Sequence, residues 1–128
     1  MESKWYWKMW EEGDYVDAWT IPHILSGAWA AGISIFLGLD FWVGLLVSIL
    51  VMIAWEVFEV WKGIHEWLGN KIADVVTGVI GFLIVYPIQI KIDYWERIFL
   101  FSWIFIVYLS FVIFGYIAYL RKSGRISI

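Results

Sequence analysis

His23, Glu56, Glu59, Asn70 and Asp74 are ionisable or amide side chains set inside, or at the ends of, segments that are otherwise apolar. Glu56 follows Trp42 by fourteen residues, so it lies about 21 Å along a hydrocarbon core roughly 30 Å thick. It is submerged. Glu59 comes one turn later on nearly the same face, closer to water, where snorkelling is the competing role. Two carboxylates a turn apart repel unless a cation or a proton sits between them, and an intramembrane carboxylate is a functional candidate by default. Asn70 and Asp74 are spaced i, i+4 on a face continued by Thr77, Gly78 and Gly81. Asn70 also fits the N-cap of the apolar run that follows, whereas Asp74 lies beyond the cap. His23 heads a face made by Gly27, Ala31, Ser34 and Gly38 and is expected to point into the bundle.

One imidazole with three carboxylates from three helices suits a hard or borderline divalent cation: Mg²⁺, Mn²⁺, Fe²⁺ or Zn²⁺. In this assignment His23, Glu59 and Asp74 are the metal ligands and Glu56 is the acid or base of any catalysis. Asn70 is a binding residue. His65 and Glu66 fall in a short loop where a solvated pair is the ordinary reading, with Glu66 as a binding residue at the pocket's rim. No HExxH, nucleophile elbow, Gly-rich phosphate loop or kinase-like lysine is present.

The elements that must position these groups follow from hydropathy. Hydrophobic residues make up 62% of the 128, only 16% are charged, and mean hydropathy is +0.77, more apolar surface than a soluble domain of this size can cover. Apolar runs over residues 22–39, 42–61, 72–90 and 98–120 each approach the roughly 20 residues that cross a bilayer. The sequence therefore predicts an all-α integral membrane protein with four transmembrane helices forming one domain. The turn Leu39-Asp40-Phe41 forces the first two into an antiparallel hairpin. Pro87 either kinks the third span's last turn or marks its exit, and the uncharged fourth should pack on the others and face lipid. No basic region followed by a short apolar core and a small-residue cleavage site opens the sequence, so the apolar segments are expected to be spans.

Residues 1–19 form a candidate amphipathic interfacial helix, with Lys4, Lys8, Glu11 and Glu12 opposite Trp5, Tyr6, Trp7, Met9 and Trp10. An aromatic belt that fixes depth explains the same residues. Lys4, Lys8, Lys62, Lys71, Arg121, Lys122 and Arg125 lie on the side shared by both termini, against Lys91 and Arg97 on the other. Both termini are thus expected on the cytoplasmic side of the cell membrane. With a net charge of −3 and scattered basic residues, a nucleic-acid partner is not expected. With no Cys, a thiolate site or a disulfide framework is impossible.

The motifs Pro22-His23-Ile24-Leu25-Ser26-Gly27, Trp55-Glu56-Val57-Phe58-Glu59 and Asn70-Lys71-Ile72-Ala73-Asp74, with Gly78 and Gly81 after the last, resemble the VanZ-like family of small polytopic membrane proteins. The likeness covers about residues 20–90. The chain departs from the family's pattern in lacking a loop arginine and the Asn that often follows the Asp, with Thr77 and Gly78 there instead. The resemblance implies a role in the cell envelope without naming a reaction.

Three functions fit these residues. The first is lipid-headgroup binding, or metal-dependent chemistry on membrane lipids or other cell-envelope components, in a pocket open to the cytoplasmic leaflet. The second is a cation or proton pathway relayed by the same carboxylates through a homo-oligomer, although the outer half offers only Ser34 and Ser48. The third is a structural subunit of a larger membrane complex.

Overall fold

In a computed structural model, residues 8–11 and 15–125 are described. Most of the interfacial segment expected over residues 1–19 lies outside them. Among the described residues four helices follow one another: α1 (Thr20–Phe36), α2 (Phe41–Trp61), α3 (Leu68–Gln89) and α4 (Tyr94–Lys122). Three of these, α2, α3 and α4, are long and apolar enough to cross a membrane. The fourth, α1, has 17 residues and packs against all three others, most extensively against α3. The protein is an all-helical membrane protein.

Local chemistry sets the boundaries. At Gly38 (φ 69°) α1 ends in a Schellman turn, in which Leu39 N–H donates to Ser34 C=O and Gly38 N–H to Ile35 C=O. Gly38 thus belongs to the turn and not to the His23 face. Asp40 is the N-cap of α2, its carboxylate accepting from Trp42 N (2.9 Å) and Val43 N (3.1 Å). The same Schellman bonds close α2 at Gly63 (φ 83°), with Ile64 N–H donating to Glu59 C=O. A reciprocal capping box of Asp93 and Glu96 opens α4, four residues before the expected start. Rather than stopping at Pro87, α3 continues to Gln89, and Arg97 donates from Nε to the Gln89 carbonyl (3.0 Å) and from Nη2 to that of Ile92 (3.3 Å).

The interior is built on small residues. On α2 the buried positions Gly44, Ser48, Met52 and Glu56 recur every four residues, so a single stripe faces its neighbours. Between α1 and α3, which run parallel, a Cβ added at Gly27 would collide with the Gly78 carbonyl, and one at Gly81 with that of Ile24. Glycine lets these backbones touch. Elsewhere the surface is apolar: Leu46, Leu50, Ile84, Phe99 and Ile106 are all exposed, as a lipid-facing surface requires. Trp42, Tyr94 and Trp95 are exposed at one end of the bundle, and Trp61 and Trp67 at the other, as in aromatic belts. Its long, nearly uniformly apolar sequence leaves α4 without a strongly buried stripe: only Ile104, Gly115 and Ala118 are buried, and it packs chiefly on α1.

Candidate functional site: a buried histidine and carboxylate cluster

The N-termini of α1 and α3 and the C-terminus of α2 meet at one end of the bundle. The parallel seam carries the site: one turn before the Gly27–Gly78 approach stand His23 and Asp74, with His23 Nε2 3.5 Å from Asp74 Oδ2. Glu56, last of the buried stripe on α2, completes a group with them, whose ligand atoms all lie within 4.8 Å of one another. Glu56 is 7% exposed and Asp74 1%, while His23 is half-buried.

Asn70 organises the carboxylates. Its Nδ2 donates to Glu66 Oε2 (3.1 Å) and to Asp74 Oδ2 (3.4 Å). The helix N-cap is Trp67 and not Asn70, because α3 begins a turn earlier than the apolar run suggested and carries Asn70 inside. Its amide is thereby turned from the backbone to the site. Glu59 does not group with His23 and Asp74. It forms a second group with Glu56 and Glu66, again with ligand atoms within 4.8 Å, and its Oε1 accepts from Trp55 Nε1 (2.9 Å). His65, the other loop residue, is exposed.

The hydrogen-bond accounting is one-sided. Glu56 Oε2, Asn70 Oδ1 and Asp74 Oδ1 are buried without any donor. Three acceptors facing low-dielectric surroundings want a cation or protons, since buried polar atoms are otherwise almost always paired. Glu56 also feels the like charges of Glu59 and Glu66 against the opposing charge of Lys71. Asp17 adds its charge near both His23 and Asp74. In the sequence Asp17 carries no distinguishing signal, being one of several acids, with Glu11, Glu12 and Asp14, in an aromatic tract. It opens the turn into α1, accepting from Trp19 N (2.8 Å).

Beside the cluster lies a cavity of about 1110 Å³ between α2 and α4. Val51, Met52 and Trp55 form one wall, and Tyr108, Val112 and Tyr116 the other. His23, Glu59 and Glu66 reach it, with Glu56 and Asp74 behind them. Lys62, Arg121, Lys122 and Arg125 also line it, the last three at the end of α4 and the turn after it.

The fold and the cluster together define an all-helical membrane protein with a buried histidine, amide and carboxylate site at one end of its bundle. No family model, curated protein or solved structure matches the chain.

Proposed function

We propose that the chain is a VanZ-like integral membrane protein whose cluster binds a divalent cation and, through it, the phosphate of a lipid headgroup at the cytoplasmic leaflet. The observation that carries this reading is the set of three donorless buried oxygens on Glu56, Asn70 and Asp74 beside His23. An oxygen-rich set with one imidazole fits Mg²⁺, Mn²⁺, Fe²⁺ or Zn²⁺. The basic residues lining the cavity complement a phosphate, its apolar walls complement acyl chains, and its lateral position between two lipid-facing helices gives a membrane lipid an entrance. A bound cation would polarise a phosphoryl oxygen, the basis for chemistry at that phosphate. The same basic bias supports a cytoplasmic position for the site and both termini.

The test is metal content by mass spectrometry on detergent-purified wild type, Glu56→Gln and Asp74→Asn, each monodisperse on gel filtration. We expect stoichiometric metal in wild type after incubation with Mn²⁺, lost in both variants. Vesicles containing an anionic phospholipid should then compete with inorganic phosphate for the loaded protein. Wild type that takes up no Mg²⁺, Mn²⁺, Fe²⁺ or Zn²⁺ would overturn the reading.

A further inference from the structure

Glu56 belongs to two ligand groups at once: with His23 and Asp74 on the inner side, and with Glu59 and Glu66 on the outer. A carboxylate shared in this way can give one oxygen to each of two cations, which in such centres lie about 3.5–4 Å apart. Glu56 Oε2 is buried with no donor, so it is available for that use. We propose that the site is dinuclear, with Glu56 bridging an inner cation on His23 and Asp74 to an outer cation on Glu59 and Glu66.

Three further observations support two cations. Neutral donors orient the ligands of both groups, because Trp55 Nε1 holds Glu59 while Asn70 Nδ2 ties outer Glu66 to inner Asp74. Such partners fix ligand geometry in metal sites. Access differs as well: Glu59 and Glu66 line the cavity, whereas the inner group reaches it only through His23. An outer cation would meet a ligand arriving along the cavity, and an inner one would be sheltered. Charge points the same way. Glu56, Glu59, Glu66 and Asp74, with Asp17 near Asp74, are five carboxylates, and Lys71 opposes them with one positive charge. With the carboxylates ionised, one divalent cation leaves the centre at minus two, which repels a phosphate. Two leave it neutral, which removes that repulsion. This last point rests on the phosphate-binding reading proposed above.

The experiment counts Mn²⁺ bound to the full chain in lipid nanodiscs and records its low-temperature electron paramagnetic resonance. We expect two Mn²⁺ per chain with the spectrum of an exchange-coupled pair, and one uncoupled Mn²⁺ in the isosteric double variant Glu59→Gln/Glu66→Gln. A single Mn²⁺ in wild type would overturn the dinuclear centre while leaving the cation site itself intact. Two uncoupled ions, or a second ion that survives the double variant, would also overturn it by placing that ion elsewhere. No bound Mn²⁺ in wild type would overturn both readings. The wild-type count and spectrum need no variant, so misfolding of the double variant cannot shield the proposal.

Discussion

Replacing Gly27 by Ala should pull the site apart from a distance. A methyl group at this position would overlap the Gly78 carbonyl, against ordinary contacts that begin at 3.4 Å. The obstacle is backbone and cannot rotate aside, so α1 and α3 must separate by roughly 1–2 Å to restore normal contact. His23 is one turn away on the same face of α1, and its Nε2 is already 3.5 Å from Asp74 Oδ2. Separation on that scale takes the imidazole out of reach of the carboxylates. Cation affinity should fall by about 10- to 100-fold, as when the support of a metal ligand is lost. Stability should fall too. Overpacking costs about 1–3 kcal/mol, while the change from glycine to alanine in a helix returns roughly 0.5–1 kcal/mol. Net destabilisation is therefore expected despite the better helix former. Titration with Mn²⁺ and graded unfolding in sodium dodecyl sulfate would read the two quantities on the same sample. A Gly27→Ala protein that binds Mn²⁺ as wild type does and unfolds at the same point, or later, would refute the view that the glycine seam sets the site.

Other parts of the fold make independent predictions. Gln89 is fully buried with both Nε2 and Oε1 unpartnered, so Gln89→Met should stabilise the protein by about 1–3 kcal/mol; a loss in the same unfolding assay would mean that the amide has a partner such as buried water. Asp93→Ala removes one half of the α4 capping box and should cost about 1 kcal/mol, with no change in Mn²⁺ affinity because Asp93 is at the opposite end of the bundle. Orientation can be read by labelling, since the chain has no cysteine. In intact cells a membrane-impermeant maleimide should react with Lys91→Cys and spare Ser123→Cys, and the reverse pattern would invert the proposed topology.

Hydropathy made the four helices legible, three of them long enough to cross a membrane and α1 shorter than the expected span, because an apolar run of about twenty residues tolerates local error. The meeting of His23, Glu56 and Asp74 was legible for a related reason: each lies in a regular helix whose axial position and face can be counted. What could not be counted was the chain between α2 and α3. The left-handed turn at Gly63 and the irregular stretch to Trp67 bring Glu66 beside Glu56, and loop geometry leaves no periodicity to read. Helical counting therefore groups Glu59 with His23 and Asp74, whereas the fold sets it with Glu56 and Glu66. The cap preference of its residue type points to Asn70 as the N-cap, yet Trp67 and Leu68 start the helix first. Gln89 carries no signal in the sequence; the Arg97 contact on its carbonyl and its packing against Gly32 belong to the fold.

The distribution of polar groups inside the bundle bears on whether a charge could cross it. At the cytoplasmic end proposed here, donorless oxygens crowd around His23. Beyond them the interior closes: Met52 packs at Gly78, and Phe82 is fully buried against Gly44. The hydroxyls of Ser34 and Ser48, the polar steps a relay would need, donate to the carbonyls of Ala30 and Gly44 in their own helices (2.8 and 2.7 Å). Gln89 lies past this apolar section, near the other end. A proton or cation reaching Glu56 thus meets two apolar side chains and two committed hydroxyls, and the unpartnered Trp29 Nε1 on α1 is a donor that can accept neither. Such an interior favours a ligand that enters and leaves by the same cavity over one that passes through. A centre that holds its ion in place, next to an opening shaped for an anionic amphiphile, follows more directly from these side chains than a conduit does.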